Sequence, residues 1–149
     1  MLKWTQDDFD SMSWHDNHVH GLRFFEGEHG TGELEFDLDY ILEWLTPVAG
    51  AVSYRYRVAP ARLRFRDVTN LAISIDYASI SAAMGPFSID GIERRVEQRR
   101  YSPAVCWRIP VNFPPGEIRF EASGFEQSLI ADGLLVDRQW LTPAERGAY

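Results

Sequence analysis

Alternation of apolar and acidic residues with a period of two is the feature that most constrains this chain. From Glu33 to Tyr40 every even position is apolar and every odd position is acidic. Successive side chains of a β-strand point to opposite sides, so this segment predicts a strand with one dry and one wet face. Similar alternation recurs within residues 52–58, 62–66, 71–77, 105–113 and 117–122. Strands of this kind pair antiparallel over a shared core.

Turn residues separate these segments. Residues 26–32 (EGEHGTG) predict a hairpin loop after a strand near 18–25, and Pro114-Pro115-Gly116 predicts a turn. Asp90-Gly91 favours a two-residue type I′ hairpin, because both residues tolerate a positive φ. Residues 93–100 fit either a helix or a strand spacing, and we favour a strand.

Two sites carry helix-start signals. Thr46-Pro47 and Thr142-Pro143 each predict a short helical turn, because an N-cap residue is followed by proline at the first helical position. Glu145 stands where a capping box requires it after Thr142.

These signals indicate one fold class. A chain of 149 residues suits a single domain, and no linker or low-complexity tract divides residues 1–149. We count about eight to ten short strands at the spacing of all-β folds. The prediction is a single-domain, all-β protein, an antiparallel β-sandwich or open barrel with one or two short helical turns.

Composition excludes several function classes. The net charge is −7, from 15 basic and 22 acidic residues, which disfavours a nucleic-acid partner. Cys106 is the single cysteine, so neither an intrachain disulfide nor a cysteine-based zinc site can form. We find no signal-peptide core and no membrane-spanning run. We therefore expect an acidic cytoplasmic protein without a membrane or nucleic-acid partner, and its oligomeric state stays open.

Three of the four histidines lie close together in the run Trp14-His15-Asp16-Asn17-His18-Val19-His20. His18 and His20 would share one face of a strand, with His15 or Asp16 available as a third ligand. This set predicts a metal site of His15, His18 and His20 for zinc or iron, with hydrolytic chemistry as an extension. The alternative is a set of strand histidines that hydrogen-bond to neighbouring carboxylates.

Charge is segregated by strand. One face of the acidic strand carries Glu33, Glu35, Asp37 and Asp39, whereas the arginines at 55, 57, 62, 64 and 66 lie on neighbouring segments. If these strands are adjacent, we expect cross-strand ion pairs. The functional alternative is a surface for a charged protein partner at the four acidic residues.

The sequence carries no complete catalytic set. The nucleophile-elbow, phosphate-loop and dinucleotide-binding motifs are all absent. Trp14 lies beside the histidines, and Trp44 lies beside the predicted helical turn. Both side chains could line a pocket. We predict a non-catalytic binding protein without a cofactor, with metal binding as the alternative.

Four segments carry a resemblance to a family: residues 12–20 (MSWHDNHVH), 37–44 (DLDYILEW), 62–68 (RLRFRDV) and 118–125 (IRFEASGF). They resemble a family of uncharacterised bacterial β-rich proteins. The His15-Asp16 pair before a first strand is also similar to small immunity proteins of bacterial toxin systems. These resemblances imply a bacterial, β-rich and immunity-like protein, and they imply neither a known activity nor a catalytic residue.

Overall fold

The structure is a computed structural model that describes residues 2–50, 53–78 and 83–147. Two short 3-10 turns, Gln6–Ser11 and Glu28–Gly30, and one α-helical turn, α1 (Pro143–Arg146), accompany the strands. The strands are β1 (Lys3–Thr5), β2 (His18–Glu26), β3 (Gly32–Leu45), β4 (Arg55–Arg66), β5 (Thr69–Ile75), β6 (Phe87–Ile89), β7 (Glu93–Glu97), β8 (Ala104–Phe113), β9 (Gly116–Glu121), β10 (Gly124–Leu129) and β11 (Leu134–Val136).

All eleven strands belong to one open antiparallel sheet, which confirms the all-β prediction. The order is β1-β10-β4-β3-β2-β6-β8-β9-β5, with β11 also on β4 and β7 also on β8. The sheet curls over, so that residues of β4 pack against residues of β8 and β9. The Phe65 ring on β4 lies 4.7 Å from that of Phe120 on β9 and 5.0 Å from that of Trp107 on β8. Aromatic packing between these halves forms the main core.

The alternation in β3 has the predicted effect. Its even-numbered residues Leu34, Phe36, Leu38 and Tyr40 are all buried in this core. The opposite side of β3 and β4 has a second, smaller apolar cluster of Ile41, Val58 and Leu141. Leu141 belongs to the segment 137–147, which we call the C-terminal segment. This segment covers part of the face on which the acidic residues of β3 lie.

The predicted helix at Thr142 is confirmed, and its capping box is complete. The Glu145 amide donates to Thr142 Oγ1 at 3.3 Å, and the Thr142 amide donates to a Glu145 carboxylate oxygen at 2.8 Å. The predicted helical turn after Thr46 is wrong, since residues 46–50 are not helical. Because β3 pairs with β4 up to its last residue, these positions connect two strands.

The predicted hairpin at Asp90-Gly91 is also wrong. Neither residue has a positive φ, and the flanking strands β6 and β7 do not pair with each other in the described chain. Both strands pair with β8, at successive places along it. The chain therefore keeps its direction at Asp90-Gly91 and continues along the edge of β8, whereas a hairpin would have reversed its direction. The predicted strand within 93–100 is confirmed as β7.

Candidate functional site

A tight turn fixed to β6 precedes β2 and positions the histidines. Asp16 has a φ of 60°, and the Asn17 amide donates to the Trp14 carbonyl at 3.0 Å. The Asp16 amide donates to the Ile89 carbonyl at 2.9 Å, and the Ile89 amide donates to the Asn17 carbonyl at 3.0 Å. The Trp14 ring is buried, and its Nε1 donates to Gln127 Oε1 at 2.8 Å. Trp14 is thus a core anchor for the turn.

His15 lies on the outside of this turn, between two carboxylates. Its Nδ1 lies 3.0 Å from the Asp90 carbonyl oxygen and 3.4 Å from that residue's Oδ1. Its Nε2 lies 3.4 Å from Asp16 Oδ2. The imidazole stacks on Trp44, with 6.0 Å between ring centroids. Trp44 therefore borders the histidine cluster, although it lies 24 positions after His20 in the sequence.

His18 and His20 lie on the face of the sheet that Asp39 occupies. His18 is directly opposite Asp39 in the ladder, and the register shifts between Val19 and Gly21. This β-bulge places His20 over Asp39 as well, with 2.7 Å between His20 Nε2 and Asp39 Oδ2. The two imidazoles thus share one face, although the environment of His18 differs from that of His20.

His18 is partly buried under the C-terminal segment. Its ring centroid lies 5.0 Å from that of Trp140, and its Nδ1 is buried without a hydrogen-bond partner among the described residues. Burial lowers the pKa of His18. The Asp16 backbone and the Asp39 carboxylate raise this pKa and so offset part of the effect of burial. Burial therefore favours the neutral imidazole at this position.

A buried charge network connects the C-terminal segment to β3. Arg146 on α1 is 6% exposed, and its guanidinium donates to carboxylate oxygens of both Asp37 and Asp39. Asp39 has no exposed surface, and its Oδ2 also accepts from the Leu141 amide at 3.0 Å. With His20, this carboxylate therefore has three partners, one on β2 and two in the C-terminal segment. Sequence reasoning located the helix that carries Arg146 but missed this contact.

The acidic residues of β3 face arginines, as the ion-pair interpretation expects. Arg64 Nε lies 3.2 Å from Glu33 Oε2 and 3.7 Å from Glu35 Oε2. Asp37 and Asp39 are paired with the arginine of α1. Glu35 is 6% exposed and Asp39 is fully buried. Much of the face predicted as a partner surface is therefore occupied by the chain itself.

The histidines have separate partners in this arrangement. His15 faces Asp16 and Asp90, His20 faces Asp39, and His18 lies against a tryptophan. Within residues 2–50, 53–78 and 83–147, no group of three or more His, Cys, Asp or Glu side chains is arranged to hold a metal ion. Binding of zinc or iron by His15, His18 and His20 stays a prediction.

Four aromatic side chains, three of them exposed, lie beside this cluster. We call Trp44, Tyr54, Tyr56 and Trp140 the aromatic patch. The Tyr56 ring centroid lies 5.1 Å from that of Trp44 and 6.5 Å from that of Tyr54. Tyr56 also packs on the outer apolar cluster that contains Leu141, the residue after Trp140. Trp44, Tyr54 and Trp140 are 43%, 48% and 42% exposed. The alternation within residues 52–58 predicts an in-facing Tyr54, but this residue precedes β4 and is exposed.

A second polar face lies on β5, β7, β8 and β9, where an open groove of about 750 Å³ includes Cys106. Its charges pair across the strands. Arg108 Nε donates to Glu117 Oε2 at 2.9 Å, and Arg99 Nη1 donates to Glu121 Oε1 at 2.7 Å. The hydrogen bond from Arg99 lowers the pKa of Glu121. These pairs explain the charged residues of the groove without a ligand.

Comparison with known proteins adds no assignment. No family model, curated protein or solved structure matches this chain. Within its described part, the chain has no helix of the length and apolarity needed to cross a bilayer.

Proposed function

We propose that this chain is a non-catalytic binding protein whose partner is another protein, and that the partner binds at the aromatic patch. The observation that carries the proposal is the exposure of Trp44 and Tyr54, whose rings border Tyr56, and of Trp140, whose ring lies against His18. Contiguous exposed apolar surface marks interaction sites, and tryptophan and tyrosine dominate the energetics of protein interfaces.

Acidic side chains around the aromatic patch favour a basic partner. Asp90, which contacts the same His15 that stacks on Trp44, is 59% exposed at its side chain, and Asp137, which follows the Val136 that pairs with Tyr56, is 82% exposed. The whole chain has a net charge of −7. Complementary charge accelerates association, and an arginine or lysine of the partner can also lie over a tryptophan ring. We therefore expect the partner to present arginine or lysine side chains to the patch.

The test is a pull-down from cells that naturally express the protein, with purified chain as bait. The double variant Trp44→Ala/Trp140→Ala removes the two tryptophans of the patch. We expect it to retain at least about tenfold less partner, because loss of one aromatic hot-spot side chain costs about 2 kcal/mol or more. The matched control is Phe24→Ala/Tyr101→Ala, which removes two exposed aromatic side chains elsewhere.

The outcomes separate clearly. Loss of the partner with the patch variant alone supports the proposal. Equal recovery by the wild-type chain and both variants would place any binding outside the aromatic patch. The recovered partner is then titrated at low and high salt. A basic partner should dissociate more readily at high salt, because salt screens exposed charges.

Metal binding is the second candidate function. It is supported by the buried Nδ1 of His18, which has no hydrogen-bond partner among the described residues, next to His20 and Asp39. The test is elemental analysis of protein purified without a chelator or a histidine tag, with His18→Ala/His20→Ala as the control. Near-stoichiometric zinc or iron in the wild-type chain alone would support it. Absence of metal, with unchanged stability on adding zinc, would reject it.

A further inference from the structure

A small open cavity of about 270 Å³ lies beside His15. The 3-10 turn Gln6–Ser11, the turn that carries His15 and the connection between β6 and β7 all contribute to its lining. We call it the His15 cavity. The imidazole that lines it also stacks on Trp44, so the cavity adjoins the aromatic patch across this ring. Pockets for small molecules have volumes of about 300–1,000 Å³, so the His15 cavity suits a single side chain.

Part of the lining of the His15 cavity is apolar. Phe9, Met12 and Ile92 border it, and each of them packs against the main core. The Phe9 ring also packs on the buried Trp14 ring, with 5.7 Å between the ring centroids. Such a wall favours a side chain with an aliphatic stem and a flat end.

Two carboxylates border the same cavity and are open to solvent. The side chains of Asp10 and Asp90 are 90% and 59% exposed. Within the described part of the chain, Asp10 Oδ1 pairs with Arg94 Nη2 at 3.6 Å, and Asp90 Oδ1 pairs with His15 Nδ1 at 3.4 Å. A carboxylate has about four acceptor positions, so each of these two can accept further hydrogen bonds. A cation that enters the cavity would be attracted by both.

Arg94 shows how the chain itself holds a guanidinium at this 3-10 turn. Its guanidinium carbon lies 4.5 Å from the Phe9 ring centroid, and Nη1 donates to the Gln6 carbonyl at 3.2 Å. The same group is the one that pairs with Asp10. A planar guanidinium can stack on a ring and bond to a carboxylate at the same time, whereas an ammonium is a compact point charge. An aromatic wall combined with carboxylates therefore favours arginine over lysine.

We propose that the His15 cavity receives one arginine side chain of the protein partner. This inference rests on the proposed function, because it requires a partner at the adjoining aromatic patch. The aliphatic stem of the arginine would lie along Met12 and Ile92, and its guanidinium would bond to the carboxylates of Asp10 and Asp90. Arginine is one of the residues that most often dominate interface energetics, and this cavity gives it both an apolar wall and paired charge.

The test uses N-acetyl-arginine methylamide as the probe and nuclear magnetic resonance of the ¹⁵N-labelled chain as the readout. A ligand of this size binds with a dissociation constant on the order of 1 mM, so a titration to about 20 mM approaches saturation. We expect saturable shifts of the amide signals of residues 12–15 and 90–92, which line the cavity. N-acetyl-citrulline methylamide has a similar shape without the charge, and it should cause no saturable shift.

A charge-matched pair of variants locates the binding. Asp10→Ala/Asp90→Ala removes both carboxylates and should weaken binding of the probe by at least about tenfold, because hydrogen bonds between charged groups are the strong ones. The control Glu26→Ala/Glu28→Ala removes two exposed carboxylates at the loop between β2 and β3 and changes the net charge equally. It should bind the probe like the wild-type chain. Dispersed amide signals verify that each variant is folded.

The outcomes decide the arginine site independently of the aromatic patch. Absence of saturable shifts, equal shifts with the citrulline compound, or unchanged affinity in Asp10→Ala/Asp90→Ala would overturn the proposal. In the pull-down, this variant should also recover at least about tenfold less partner. Full recovery by this variant, with loss in Trp44→Ala/Trp140→Ala, would overturn the arginine site and leave the proposed function intact. Failure of the proposed function shows instead as full recovery by the tryptophan variant.

Discussion

Arg146→Ala tests whether buried charge pairing holds the C-terminal segment on the sheet. The substitution removes the guanidinium that pairs with Asp37 and Asp39. Asp39 would remain fully buried, with His20 Nε2 at 2.7 Å and the Leu141 amide at 3.0 Å. Removing one partner of a buried ion pair costs about 3–5 kcal/mol. Because Asp39 keeps two partners, we expect a loss near the lower limit, about 3 kcal/mol.

Urea denaturation measures this loss. For a domain of this size the free energy of unfolding falls by about 2 kcal/mol per molar urea, so the midpoint should decrease by about 1.5 M. The control is Arg95→Ala, whose side chain is 75% exposed and pairs with Glu97, which is 45% exposed. A solvent-exposed pair contributes about 0–1 kcal/mol, so its midpoint should decrease by at most about 0.5 M.

Comparison of the two arginine variants decides the question. If Arg146→Ala shifts the midpoint no more than Arg95→Ala, burial does not strengthen the network and the reasoning fails. A double-mutant cycle with Asp39→Asn measures the direct coupling. The loss caused by Arg146→Ala should be smaller by about 1 kcal/mol or more when residue 39 is already neutral. Equal losses in both backgrounds would show that the two side chains act independently.

Three further predictions use the same unfolding measurements. Phe65→Ala should lower the free energy of unfolding by about 3–5 kcal/mol, because it opens a cavity in the aromatic core. An equal loss in the exposed-site control Phe24→Ala would contradict the core assignment. Thr142→Ala should lower the free energy of unfolding by about 1 kcal/mol through loss of the N-cap, whereas Thr142→Ser should be close to wild type. Equal losses in these two variants would count against the cap. Because burial lowers the pKa of His18 below 6.5, its contribution to stability is full above pH 6.5 and declines below it. His18→Gln should therefore lose less stability than the wild-type chain between pH 7.5 and 5.5, and parallel curves would reject this linkage.

Local patterns predicted those parts of the fold that depend on local geometry. The face assignment of Phe36 and Leu38 follows from the two-residue period of a strand, and α1 follows from a cap that involves Thr142 and Glu145 alone. The turn at Asp90-Gly91 failed because turn propensity carries no information about which strand is adjacent. Strand pairing there is set by β8, which contacts β6 and β7 in succession.

The candidate site was predictable to a similar extent. The periodicity placed His18 and His20 on one face, and that face also carries Asp39. The period-two pattern identified Asp39 as a residue of the wet face, and only the distant C-terminal segment makes it a buried one. Arg146 lies 107 positions after Asp39, so no local pattern connects them. Exposure of Tyr54 likewise depends on where β4 begins, which alternation alone does not define.

That separation of 107 positions also has a consequence for the order of folding during synthesis. The ribosome produces β3 long before it produces α1, because a chain emerges from its N-terminus onward. Until residue 146 is available, Asp37 and Asp39 lack the guanidinium that later pairs with both, and they remain in water as ordinary solvated carboxylates. The inner core of the sheet can form in this interval, but the outer face cannot. We therefore expect the nascent sheet to stay open on its histidine side until the last turn of helix closes it.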